Sequence, residues 1–275
     1  MPDQPTRITE RSNPRTRDLD QLEPRDLLTR IVREDAEVPG VILSALDSLL
    51  VASDALFETL QAGGRWFNIG AGTSGRLGLL DAAEVPPTFG MPRDRVQGII
   101  AGGGAALTRA VEGAEDDREA AASDLVSSGF QSGDALVAIS ASGRTPYALS
   151  ACEYARSLGA KTIAITCSPS APLVAAVEIP IVVEVGPEVI AGSTRMKGGL
   201  AQKMVLHTLS TAVMVRLGRV RGNLMTNLQP VNEKLRERAI WILGEISGCT
   251  PEQARDALDE AGSIESALEK MTPSE

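Results

Sequence analysis

Apolar and polar positions along the chain follow two periods in turn. From Pro24 to about Ala62 the apolar residues recur at helical spacing, first Leu27, Leu28, Ile31 and Val32, then Val41, Ile42, Ala45, Leu46, Leu49 and Leu50. Pro39 lacks an amide donor, so it predicts a boundary between two helices. Beyond Ala62 come short apolar runs of strand length: Arg65–Gly70, Val96–Ala101, Asp134–Ser140, Lys161–Thr166 and Ile179–Glu184. Helical patterns at Gly75–Ala83, Ala105–Val126 and Pro146–Leu158 separate them. Such alternation predicts an α/β fold, a doubly wound five-stranded parallel sheet with helices on both faces. Ligands of such sheets sit beyond the carboxyl ends of the strands.

The flanks read differently. Residues 1–23 are polar and rich in Arg, Asp and Pro, which predicts an extended arm rather than a packed element. A long helix is expected over Arg195–Leu217. After it, Val231–Ile246, Pro251–Ala261 and Ile264–Met271 form a small helical appendage. Thr250 before Pro251 is placed as an N-cap, and Gly248 and Gly262 as stops. The expected organisation is an N-terminal arm with helices over 1–54, a central sheet domain over 55–219 and a three-helix appendage over 228–275.

Composition narrows the chemistry. The chain has 275 residues and a formal charge of −9. With no global positive field, binding to nucleic acid or to an anionic membrane is not expected. No apolar stretch of about 20 residues is present, and the start lacks an apolar leader pattern. Cys152, Cys167 and Cys249 are odd in number and far apart, which suits a reducing cytoplasm better than a disulfide framework or a zinc site. The one histidine, His207, lies among Met204, Val205, Leu206 and Leu209 and is expected to pack in a buried helix. No metal site and no redox cofactor site is recognisable.

Three loops stand out. The first strand runs into Gly70-Ala71-Gly72-Thr73-Ser74-Gly75-Arg76, where glycines allow close backbone approach and the following helix offers free N–H groups to an anion. This run satisfies the Gly-x-Gly-x-x-Gly dinucleotide pattern. The second strand, however, leads into Gly102-Gly103-Gly104 and not into the acidic residue a ribose requires. The third strand ends in Ser140-Ala141-Ser142-Gly143-Arg144-Thr145-Pro146. Thr145 can cap the helix that starts at Pro146, yet the two serines, the glycine and the arginine exceed what a cap needs and point to phosphate. The third loop, Gly192-Ser193-Thr194-Arg195-Met196-Lys197-Gly198, puts cations at a helix start, against the helix dipole. Either an anionic ligand or an acidic residue of the chain would explain them.

These loops resemble the sugar isomerase (SIS) domain, which binds phosphosugars. In finer detail the chain resembles the N-acetylmuramic acid 6-phosphate etherases. The likeness rests on Gly70–Arg76, on Asp81–Thr88 (Asp-Ala-x-Glu-x-Pro-Pro-Thr), on Glu112–Asp116, on Ala141–Tyr147 and on Gly186–Lys197, a signature shared with glucokinase regulatory proteins. The arm Thr9–Pro14 and the appendage, which resembles a UBA-like bundle, extend it over nearly the whole chain. The resemblance implies an SIS fold and a carbon–oxygen lyase that removes D-lactate from N-acetylmuramic acid 6-phosphate. It also implies no cofactor and a homodimer with its site at the subunit interface. It makes Glu84 and Glu115 the catalytic positions. Ser74, Ser140, Ser142 and Thr145 become phosphate contacts, with Thr73, Arg76, Arg144, Ser193, Arg195 and Lys197 as further substrate contacts. Pro86-Pro87 is expected to end the helix near Glu84, leaving that carboxyl at a turn and desolvated among Val85 and the prolines. Glu115 precedes Asp116 and Asp117 and could equally decorate a helix start. A non-catalytic phosphosugar sensor and an aldose–ketose isomerase are the competing readings.

Overall fold

A computed structural model of the chain describes residues 7–271. Five strands form one parallel sheet: β1 (Trp66–Gly70), β2 (Val96–Ile100), β3 (Ala135–Ile139), β4 (Lys161–Thr166) and β5 (Ile179–Val182). Their order is β2-β1-β3-β4-β5. Every pair is parallel, with Trp66 opposite Val96 on one side and Ala135 on the other. Both faces of β1 and β3 are covered and every residue is buried; β3 reads as an unbroken apolar run, whereas β1 carries Asn68, whose Oδ1 accepts from Trp66 Nε1 at 2.7 Å. In this order the chain winds one way from β1 to β2 and the other way from β3 onward. The crevice beyond the carboxyl ends of β1 and β3 is therefore the switch point where such sheets bind ligands.

Two helical layers cover the sheet. One contains α1 (Pro24–Asp35), α2 (Val38–Ser44), α3 (Leu46–Gln61), α4 (Gly72–Phe89) and α8 (Lys197–Arg216). Val38, Ile42, Leu56, Val85, Val205 and Leu209 of this layer pack on Ile139, Ile163 and Ile181. The other contains α5 (Arg118–Ser127), α6 (Pro146–Ser157) and α7 (Pro172–Ala176), packed on Phe67, Leu136 and Ala164 through Leu125, Tyr147 and Leu173. The appendage, α9 (Glu233–Ser247), α10 (Pro251–Ala261) and α11 (Ile264–Met271), closes on its own cluster around Ile242, Leu243, Leu258 and Ile264. Thr250 makes the expected cap, reinforced by Gln253 in a reciprocal capping box.

Several expectations are corrected. From residue 7 onward the arm is not extended; residues 1–6 lie outside the described residues. Three short 3-10 turns, Ile8–Glu10, Pro14–Thr16 and Leu19–Gln21, fold it onto the body and bury Thr9, Asn13 and Thr16. The N-terminal region holds three helices, not two, because Ala45 leaves helical geometry. Pro39 itself sits in the first turn of α2, where its missing N–H costs nothing. α3 also runs across the expected boundary at residue 54. α4 does not stop before Pro86 and Pro87. Beyond the prolines the ladder resumes, with Gly90 N–H donating to the Pro86 carbonyl (2.9 Å) and the Thr88 hydroxyl to the Glu84 carbonyl (2.8 Å). Buried Val85 and Phe89 hold both sides of the proline pair. The helix expected over Ala105–Val126 is broken. Gly113 takes a positive φ of 75°, and only α5 is regular, its N-terminus capped by Asp117, which accepts from the Glu119 and Ala120 N–H groups. His207 is exposed on α8, with Nδ1 donating back to the Lys203 carbonyl at 2.7 Å. It faces away from the buried stripe of Val205, Leu206 and Leu209.

Candidate active site

The loop after β1 turns immediately into α4. Gly70 and Gly75 make this close turn possible: a Cβ on Gly75 would lie 2.5 Å from the Gly70 carbonyl oxygen. Ser74 thus sits in the first turn of α4, half-buried, with its hydroxyl donating to Gln202 Oε1 at 3.0 Å. The loop after β3 is tighter. Gly143 has φ +61°, and a Cβ there would meet Ala171 Cβ at 2.4 Å and Thr166 Oγ1 at 2.7 Å. Around it the hydroxyls form a chain. Ser140 Oγ lies 2.9 Å from Thr145 Oγ1 and 3.5 Å from Ser142 Oγ, and it accepts from the Gly143 N–H at 3.0 Å. Thr145 therefore does not cap α6 with its side chain, since its hydroxyl is engaged with Ser140.

The third loop joins these two. Gly199 at the start of α8 faces the Thr73 methyl, and Gly198 faces Ala141 and Thr194. Thr73, Ser74, Ser140, Ser142, Thr145 and the Gly192–Gly198 loop are thereby gathered at the switch point, with backbone N–H groups at the starts of α4 and α6. Hydroxyl donors and helix N-termini converging in one crevice suit a phosphate. Within these loops Ser193 is half-buried, and Arg144 and Arg195 are exposed.

Two of the expected cationic contacts are engaged elsewhere. Arg76 donates to the carbonyls of Leu107 and Arg109 and holds the loop after β2. Lys197 is buried, and its Nζ donates to Glu34 Oε2 at 3.0 Å. The anion that explains a cation at this helix start is thus an acidic residue of the chain. Glu34 also accepts from Arg15 Nη2 and Asn13 Nδ2, both at 2.8 Å. The Arg15 hydrogen bond, helped by Lys197 and Asn13, holds the Glu34 carboxyl well below its ordinary range, at about 2. Glu188 completes the helix start by accepting from the Lys197 and Gly198 N–H groups at 2.9 and 2.8 Å. Burial pushes the Glu188 carboxyl up, opposed by those two N–H groups. The arm is tied in as well: Asn13 donates to the Pro187 carbonyl, Thr16 to the Val189 carbonyl, and the Gly192 N–H to the Thr9 carbonyl.

The two glutamates lie apart within one chain. Glu84 is ten residues beyond Ser74 on α4, close to three turns or about 15 Å along the helix. Its side chain is 62% exposed, so the desolvation expected among Val85 and the prolines is absent from the single chain. Its nearest charged partner is Lys203 of α8, with Nζ 3.8 Å from Glu84 Oε2. Glu115 lies in the short turn Ala114–Asp116, exposed, with Ala114 beside it packed into the cluster under α6. The two carboxylates thus project from layers on opposite faces of the sheet. Behind Glu84, Asp81 is buried, with Oδ1 accepting from Ser210 at 3.0 Å. Burial pushes its carboxyl up. Glu34, Glu188, Gln202 and Lys203 carry no motif signal of their own, except that Glu188 falls within the Gly186–Lys197 signature.

Residues 116–212 match the SIS domain family, and residues 49–156 match the glucokinase regulatory protein N-terminal SIS domain. A phosphoheptose isomerase from Francisella tularensis shares the fold, with a TM-score of 0.51, 20% identity and coverage of 68% of this chain and 98% of that one. Fold and loops together define an SIS domain. The finer relationship comes from full-length relatives. The N-acetylmuramic acid 6-phosphate etherase of Erwinia tasmaniensis is 48% identical over 92% of this chain and 83% of its own length. That of Symbiobacterium thermophilum is 48% identical over 95% and 87%. The chain belongs to the N-acetylmuramic acid 6-phosphate etherase family.

Proposed function

We propose that the protein cleaves the D-lactyl ether of N-acetylmuramic acid 6-phosphate, releasing D-lactate and N-acetylglucosamine 6-phosphate. The observation that carries this reading is the 48% identity to etherases over more than nine-tenths of this chain. The gathered hydroxyl loops supply the phosphate anchor. An ether resists direct hydrolysis, but the open-chain sugar presents an aldehyde at carbon 1, so the proton on carbon 2 is acidic. In our reading Glu115 removes that proton, Glu84 protonates the ether oxygen, and lactate departs from carbon 3. Glu115 passes that proton to solvent, its carboxylate then activates the water that adds to carbon 3 of the conjugated alkene, and carbon 2 regains a proton from solvent. The phosphate anchor holds the chain in place for these steps.

Because Glu84 and Glu115 of one chain lie on different layers, this chemistry needs a second subunit. The working unit in this reading is a homodimer in which Glu84 of one subunit completes a site built on the Glu115 and phosphate loops of the other. Exposed Leu28, Val32, Leu43 and Leu50 on the first helices, each more than 60% accessible, supply apolar surface for such an interface. A mixing experiment tests this. Glu84→Gln and Glu115→Gln proteins, each inactive, should regain activity when unfolded and refolded together. Random pairing gives half heterodimers, each with one intact site, or about a quarter of wild-type activity. Inactive mixtures that still contain heterodimers would mean that both carboxylates act from one chain. The reading places the enzyme in the cytoplasm, where the three free cysteines remain thiols.

The phosphate anchor has its own test. Gly143→Ala puts a Cβ against Ala171 in a left-handed backbone, which should open the Ser140–Thr145 loop. Affinity for N-acetylglucosamine 6-phosphate, measured by calorimetry, is expected to fall about tenfold or more. Unchanged affinity would remove this loop from the phosphate site.

A further inference from the structure

The departing lactate carries a carboxylate that no residue considered so far recognises. That group must come close to Glu84, since the ether oxygen and the carboxylate carbon are both bonded to the same carbon of the lactyl unit. Without a cation beside it, it would face the Glu84 carboxyl alone. Two of the cations expected to contact substrate are engaged: Lys197 is buried on Glu34, and Arg76 holds the loop after β2. Arg144 and Arg195 are exposed on the hydroxyl-rich loops and belong to the phosphate end of the site.

Lys203 has the required placement. Its Nζ is 3.8 Å from Glu84 Oε2, too long for a hydrogen bond, so the lysine donors are not saturated by that carboxylate. Its side chain is about one-third exposed, beside the 62% exposed Glu84 side chain. Both residues project from the same pair of packed helices. They therefore travel together to whichever subunit's site Glu84 serves, and the placement does not depend on the details of dimer packing. We propose that Lys203 is a specificity-determining residue that binds the lactyl carboxylate while Glu84 serves the ether oxygen. The proposal rests on the etherase reading and on Glu84 as the acid.

The test compares N-acetylmuramic acid 6-phosphate with the analogue whose lactyl carboxylate is a carboxamide, following release of N-acetylglucosamine 6-phosphate from both. Wild type should prefer the carboxylate in kcat/KM by on the order of tenfold to a hundredfold, the worth of one charge-assisted hydrogen bond. Lys203→Met should handle the two substrates alike, mainly through loss on the carboxylate, and Lys203→Arg should keep the preference. Binding of N-acetylglucosamine 6-phosphate, which lacks the lactyl group, should stay unchanged in both variants and reports that the fold and the phosphate anchor are intact. If Lys203→Met keeps the wild-type preference, or if wild type shows none, the lysine is only a surface ion-pair partner of Glu84 while the etherase reading stands. If wild type releases no product from the carboxylate substrate, both the etherase reading and this proposal fall.

Discussion

Replacing Glu115 by glutamine is expected to lower D-lactate release by about 10²–10⁴-fold, the usual worth of a positioned acid or base. It should also abolish exchange of the carbon-2 proton with solvent deuterium. Glu84→Gln should lower lactate release to a similar extent, yet leave carbon-2 exchange in the recovered substrate measurable, because the base is intact and only the leaving group lacks its proton. Proton NMR of the substrate in D₂O separates the two. The opposite pattern, with exchange lost in Glu84→Gln and kept in Glu115→Gln, would exchange the two roles and leave the reaction unchanged. Loss of neither lactate release nor exchange in both variants would remove these carboxylates from the chemistry.

The second large effect concerns stability. Lys197 and Glu34 are 1% and 3% exposed, and their side chains meet at 3.0 Å. Glu34→Gln leaves the Lys197 ammonium buried without its counter-charge, which costs about 3–5 kcal/mol. The arm also loses its anchor, since Arg15 and Asn13 both bind the same carboxylate. The expected result is a large drop in the urea midpoint, with much of it recovered in the Glu34→Gln/Lys197→Met double variant. The pH dependence follows from the same carboxyl. Its folded value, about 2, lies below the ordinary value of 4.5. Its stabilisation is therefore full above about pH 4.5 and is lost as pH falls towards 2. Urea midpoints measured between pH 6 and pH 2.5 should decline less steeply in Glu34→Gln than in wild type. An equal slope would mean that Glu34 is not ionised in the folded chain.

The parts of this fold that were legible in the sequence depend on neighbours close along the chain. β3 and β4 are apolar runs bounded by turn residues, and both were located to within a residue or matched outright. The hydroxyl-rich loops are legible because each places its glycines and hydroxyls within seven residues of one another. The rest depends on partners far away. Lys197 looked like a ligand contact because Glu34, which neutralises it, comes 163 residues earlier on another helix. The arm looked unpacked because its polar residues bury themselves by bonding Glu34 and the backbone of Pro187 and Val189. The full length of α4 is not legible locally, because Pro86 and Pro87 signal a stop, whereas Val85 and Phe89 are held by the core. The apolar neighbours of His207 point to the interior, but a helix turns 100° per residue and carries it to the open face. Lys203 carried no signal until α4 and α8 were side by side.

The most direct test of the etherase reading is release of D-lactate from N-acetylmuramic acid 6-phosphate by the purified protein, with Glu84→Gln as control. One D-lactate for each N-acetylglucosamine 6-phosphate formed by wild type, and none from the variant, is the predicted result. A wild-type protein that binds the phosphosugar and releases no lactate would contradict it, and would make this SIS domain a sensor or an isomerase.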